Sequence, residues 1–296
     1  MGRGIENALA IAQKQESKRS IASCNGLLGD VERDRGNWDA AETLYQQSLT
    51  VRTELRDRSG MATSWGILGD IERNRGNWDA AETLYRQSLE VMTELGDRSG
   101  IASNWVSLGY IEQCRGNWDA AETLYQQSLE VKTELGDRSG MVNIWEQLGY
   151  IEYRRGNWDA AKILYQQSLE LQTELGDRSN MAQSYSGLGE NESDRGNLEA
   201  AEQFSKQALV IAQELGMIHL LAEINYDLAR LERKRGKHRT CPTALQHSAS
   251  NISAIGRGEG FGENQARVGA RLIPMMPSSL ISISQANRLL RSDNET

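Results

Sequence analysis

The sequence predicts an all-α solenoid, a right-handed superhelix of antiparallel helix pairs, and three observations carry that prediction. The string GNWDAAETLY begins at Gly36, recurs from Gly76 and Gly116, returns as GNWDAAKILY from Gly156, and weakens to GNLEAAEQFS from Gly196, always 40 residues apart. A second string keeps the same interval, as ELRDRSG from Glu54, ELGDRSG from Glu94 and Glu134, and ELGDRSN from Glu174. The chain's 3 prolines all lie in its last quarter, so none interrupts a helix within the repeats. Five phased copies of a unit too small to bury its own apolar face point to stacking.

The elements follow in order. Glu6–Gln13 (ENALAIAQ) aligns with the second half of a unit's second helix, so the chain opens on a half unit. Five complete hairpins are expected from about Ser20 to Gly216. Within one unit, Met61, Trp65, Leu68 and Gly69 fall at helical spacing and define helix A. Ala81, Leu84, Tyr85, Ser88 and Leu89 define a longer helix B. Between them, Gly76 suits a left-handed C-terminal cap and Asn77 an N-cap, with Asp79 favoured beside the positive helix end. The link Gly96-Asp97-Arg98-Ser99 repeats that logic before the next helix A. A sixth helix A is expected over about Met217 to Arg235.

The pattern then breaks at Lys237-His238-Arg239-Thr240-Cys241-Pro242, where a sixth helix B is due. Residues 237–296 read as a poorly ordered tail, apart from a short helix near Ser284 to Arg291. Read one base downstream, the degenerate codons of residues 239–265 are compatible with a string that places Ala and Leu-Gly at the offsets of Ala201 and Leu215-Gly216. The tail then reads as a frameshifted sixth helix B, which resequencing the coding DNA would check. Without that helix, Leu221, Ile224, Leu228 and Leu231 are expected to lie exposed, a route to self-association through an uncapped end.

Trp65, Leu68, Gly69, Gly76, Trp78, Ala81 and Tyr85 together resemble the tetratricopeptide repeat. The period and the LGDRSG link are similar to the Leu-Gly-Asn-like subfamily of adaptors and prokaryotic signalling arrays. The resemblance covers roughly residues 5–236 and implies a non-enzymatic scaffold that binds a protein or peptide. It also implies that helix A lines the concave groove. Helix B is nearly identical among copies, whereas helix A varies at particular columns. One reads Asp30, Asp70, Tyr110, Tyr150, Glu190, Arg230, and another Gly26, Gly66, Val106, Glu146, Ser186, Tyr226. The groove residues expected from these and the neighbouring columns are Asp70, Arg73, Tyr110, Glu146, Tyr150, Tyr153, Arg154 and Glu190. Tyrosine and arginine dominate binding hot spots, at ~2 kcal/mol or more each when buried. The Asn of Leu-Gly-Asn repeats is replaced here by Asp, Tyr or Glu, and the Lys and Asn of chaperone-tail clamps are missing.

Composition narrows function further. The net charge of −8 is uneven: residues 237–296 hold 7 Lys or Arg against 4 Asp or Glu, a net +3, leaving −11 on residues 1–236. An acidic body without a basic patch disfavours nucleic acid and anionic membranes. No stretch nears the ~20 apolar residues of a membrane span, and Met1 to Glu6 lacks an apolar signal core. Gly2 lacks the Ser or Thr at position 6 that myristoylation favours. Cys24, Cys114 and Cys241 form no CxxC pair, as expected of reduced thiols in a cytoplasm.

No cofactor is implied. The histidines (His219, His238, His247) form no metal cluster or Ser-His-Asp candidate, and Gly256–Gly262 lacks the strand and Lys-Ser/Thr ending of a phosphate loop. Glu72 and Arg75 recur in every unit, which points to structural ion pairing, and Trp65, Trp105 and Trp145 read as core. Two other readings stay open: a detached sensor portion of a signalling ATPase or protease, and a decaying gene fragment.

Overall fold

A computed structural model of the chain describes residues 2–236. Helix α1 (Gly2–Lys14) precedes five hairpins: α2 (Lys18–Asp34) with α3 (Trp38–Glu54), α4 (Arg58–Asn74) with α5 (Trp78–Leu95), α6 (Arg98–Cys114) with α7 (Trp118–Leu135), α8 (Arg138–Arg154) with α9 (Trp158–Leu175), and α10 (Arg178–Arg195) with α11 (Leu198–Leu215). Helix α12 (Ile218–Lys234) completes the described stack. Each helix packs on its neighbours in sequence, and helix A also touches helix A of the next hairpin (α4 on α6, α8 on α10, α10 on α12). The predicted break at Lys237–Pro242, the frameshifted tail and the helix at 284–291 lie outside the described residues.

The turn from helix B to helix A forms as its residues demand. Gly96 takes the left-handed conformation at φ 69°, and the Asp97 carboxylate accepts the Gly100 N–H at 3.0 Å, capping α6. The turn from A to B differs from expectation. Gly76 is left-handed at φ 80°, but the Asn77 side chain does not cap α5. Its Nδ2 donates instead to Glu72 Oε2 at 2.7 Å, and the same pair recurs in every hairpin. The carboxylate sits one turn back, within reach, and a charge-assisted bond outweighs a neutral cap.

Between hairpin halves lies a tyrosine laid on a glycine. Tyr85 is 1% exposed and covers Gly69, where an added Cβ would stand 2.7 Å from the ring. Tyr45 on Gly29, Tyr125 on Gly109 and Tyr165 on Gly149 repeat the contact. Ala81, Leu108 and Ile111 close the core around Tyr85. These small and flat groups take the centre, so Trp65, Trp105 and Trp145 end half-buried at its edge, contrary to the expectation that they form the core.

The end of the stack also departs from expectation. Ile224 and Leu231 are each 1% exposed and Leu221 and Leu228 half-buried, because α12 lays its apolar stripe on Ala208 and Ala212 of α11 as earlier A helices do on theirs.

Two sets of ion pairs hold the hairpins in register. Arg75, at the end of α4, binds Glu72 at 2.9 Å and reaches back to Asp39 and Glu42 of α3, both at 2.6 Å. Arg115 and Arg155 repeat this on the next hairpins. The second set pairs the first residue of helix A with the end of its own helix B (Arg58 with Glu94, Arg98 with Glu134, Arg138 with Glu174, Arg178 with Glu214).

Candidate functional site: the helix A face

The expected groove residues lie on four successive A helices: Asp70 and Arg73 on α4, Tyr110 on α6, Glu146, Tyr150, Tyr153 and Arg154 on α8, and Glu190 on α10. Contacts join α4 to α6 and α8 to α10, and Gln113 of α6 donates to Gln147 of α8 at 3.1 Å.

The aromatic members are braced from behind by tryptophans that open the B helices. Tyr110 leans on Trp78 and Tyr150 on Trp118, with ring centroids 6.3 Å apart in both. Cations cover them. The Arg73 guanidinium stands 5.4 Å from the Tyr110 ring, and Arg154 stands 5.2 Å from Trp118 and 5.6 Å from Tyr150. Arg154 also donates to the Tyr150 hydroxyl at 2.7 Å. Arg154 is exposed and both tyrosines half-buried, so the cluster is rigid yet reachable.

Other expected residues are already engaged. The Asp70 carboxylate accepts the Tyr85 hydroxyl at 2.7 Å and pairs with Arg73 at 3.5 Å. Tyr153 packs against the Ala161, Tyr165 and Leu188 core, and its hydroxyl donates to Asp194 at 2.7 Å. Burial, then the charge of Glu190, pushes the Tyr153 phenol up, so it stays a neutral donor. Asp194 also receives Arg230 at 2.5 Å and Lys234 at 3.1 Å, which fastens α12 to α10.

Glu146, Tyr150 and Glu190 meet at a cavity of about 640 Å³ between α8, α10 and the start of α12. Asp70, Arg73, Tyr110, Tyr153 and Arg154 do not line it. Glu146 accepts Gln172 at 2.8 Å and Ser184 at 2.7 Å, and burial raises its carboxyl above the usual range. Beside Glu190, Asp227 is pushed up to about 7, first by burial and then by the Glu190 charge. Sequence reasoning did not single out Asp227, Glu223 or Tyr165. The signal for Tyr165 was present in the column itself, since replacing Asp70 by Tyr150 removes a tyrosine's usual acceptor.

Comparisons with known proteins agree with this architecture. Sequence models described as tetratricopeptide repeat match residues 60–136, 140–214 and 22–57. No curated protein matches the chain. Among solved structures, apo RapI superposes with a TM-score of 0.70 at 16% identity, over 86% of this chain and 91% of that one. BtubC from P. vanneervenii gives 0.62 at 22% identity, over 72% and 89%. A Pyrococcus horikoshii signal transduction ATPase with numerous domains and a tetratricopeptide repeat sensor gives 0.63 at 14% identity, over 94% of this chain and 46% of that one. These likenesses concern the fold. Among the described residues, no helix is long and apolar enough to cross a membrane.

Proposed function

The chain belongs to the tetratricopeptide repeat family, and on that premise we propose that it is a non-enzymatic scaffold that holds an extended or helical segment of a partner protein on its helix A face. The observation that carries this reading is the cluster of Tyr110 and Tyr150 with Arg73 and Arg154. It occupies columns that break an otherwise repeating sequence, and it is braced by Trp78 and Trp118. Rigid aromatic rings lose little freedom on binding, and flanking charges set the register of the bound segment. The acidic surface of residues 1–236 favours a protein over nucleic acid, and a cytoplasmic setting fits the unpaired thiols of Cys24 and Cys114. Self-association through α12 remains a second partner expectation, resting on half-buried Leu221 and Leu228, and sedimentation at rising concentration tests it.

The test is a pull-down from native lysate with the full chain and with a Tyr110→Ala, Tyr150→Ala variant of unchanged helicity. Tyr153 is left in place because it anchors Asp194. A partner recovered by the parent and reduced at least about tenfold by the variant supports the reading, in line with ~2 kcal/mol per aromatic hot spot. Equal recovery, or no partner for either, refutes it.

A further inference from the structure

We propose that the cavity between α8, α10 and the start of α12 receives a basic side chain, arginine or lysine, from an extended segment of the partner protein. The inference rests on the groove reading above and gives the bound segment its chemistry.

The cavity has a local origin. Helix α10 carries Ser186-Gly187 where the preceding A helices carry Gly66-Ile67, Val106-Ser107 and Glu146-Gln147, so bulk is missing at one level of the stack. Behind the gap stands the Tyr165 ring, which a Cβ at Gly187 would approach to 3.1 Å.

Tyr165 is the second, independent observation. It is only 6% exposed and lines the cavity, yet among the described residues its hydroxyl has no hydrogen-bond partner. Its counterparts are all satisfied: Tyr45 by Asp30 and Tyr85 by Asp70, each at 2.7 Å, and Tyr125 by Gln113 at 3.1 Å. In the fourth hairpin those acceptor positions hold Tyr150 and Tyr153, whose hydroxyls engage Arg154 and Asp194. A donor is therefore left at the cavity wall without a protein acceptor, free to donate to a ligand group such as a peptide carbonyl.

Charge selects the ligand. Among the described residues, Glu146, Glu190 and Glu223 line the cavity with His219, and no Lys or Arg does. Among the described residues, no three acidic, His or Cys groups lie close enough to hold a metal ion, so a larger organic cation fits better. The rings of Tyr150 and Tyr165 with Ile218 and Leu220 offer an apolar lining for an alkyl stem. The volume lies within the ~300–1,000 Å³ of ligand sites. An acidic or phosphorylated segment would meet like charge.

The test selects phage-displayed random heptapeptides on the full chain and on a Glu190→Gln, Glu223→Gln variant with unchanged circular dichroism. The wild type should enrich Arg or Lys at one peptide position, and the variant should lose that enrichment. A fluorescein-labelled selected peptide should weaken at least about tenfold when its basic residue becomes citrulline or Gln, and less than about threefold on the variant. Tyr165→Phe should weaken it by a smaller factor. Peptides enriched in apolar or acidic residues alone would overturn this inference and leave the groove reading standing, as would unchanged affinity on the variant. Selection of nothing by a helical wild type would overturn both. A concentration-dependent dimer of the wild type, absent from the variant, would assign the cavity to a second copy and refute the proposal.

Discussion

Arg56 has φ +54°, the left-handed conformation that Gly96, Gly136 and Gly176 occupy at the equivalent places. A side chain there costs about 1–2 kcal/mol, and α3 stops at Glu54 where α5 continues to Leu95. Arg56→Gly should therefore raise stability by about 1 kcal/mol, seen as a melting temperature about 2–4 °C higher. An unchanged or lower midpoint would mean that the turn is not strained. Two other glycines separate space from helix propensity. Gly26 has no neighbour nearer than 3.9 Å to an added Cβ, whereas at Gly69 the Tyr85 ring stands at 2.7 Å. In chemical denaturation Gly26→Ala should be neutral or stabilising by up to about 1 kcal/mol, while Gly69→Ala should cost about 1–3 kcal/mol. Equal effects would contradict the tyrosine wedge.

At the scale of the helix, the two sets of ion pairs should not be equivalent. Arg115 binds three carboxylates on two helices and is 29% exposed, whereas Arg98 and Glu134 are both 52% exposed. Arg115→Ala should cost about 1–2 kcal/mol and Arg98→Ala less than about 1 kcal/mol, since exposed pairs contribute little. Thermal unfolding of the two variants checks the order, and the reverse order would refute it. Most of this scale was legible beforehand. A period of 40 residues, two glycine-bearing turns and the recurring Glu72 and Arg75 foretold hairpins tied by ion pairs. Asn77 misled because its type suits a cap, and only the fold brings Glu72 within reach. Asp70 and Tyr153 looked like free groove residues because a column of letters does not show that Tyr85 and Asp194 already hold them. The cavity was hidden for a related reason, since it arises from what Ser186 and Gly187 lack.

At the scale of the whole stack, among the described residues, contacts join each helix to its neighbours and hardly beyond. Stability is then close to a sum of hairpin and interface terms, and opening starts at the ends. Amide hydrogen exchange should be slowest in the middle hairpins, α5 through α9, and faster toward α1 and α12. Uniform protection along the stack would show a single cooperative unit instead. The proposed binding cluster lies on α4, α6 and α8, so all of it but Arg73 draws on the slowest-opening part of the stack. The cavity against α12 lies nearer the looser end.

The reach of Arg115 also bears on inheritance. It bonds only to its own helix and the helix before it, and every B helix from α3 to α7 offers the same aspartate and glutamate. DNA encoding near-identical units can misalign by one whole unit when copied, and the shortened or lengthened product still presents a matching joint at the splice. Array length can thus change in steps of a hairpin without loss of fit between neighbours. What each step rewrites is the order of Tyr110, Tyr150 and Glu190 along the stack, so a gain or loss that the fold tolerates would be felt first by the partner proposed for that surface.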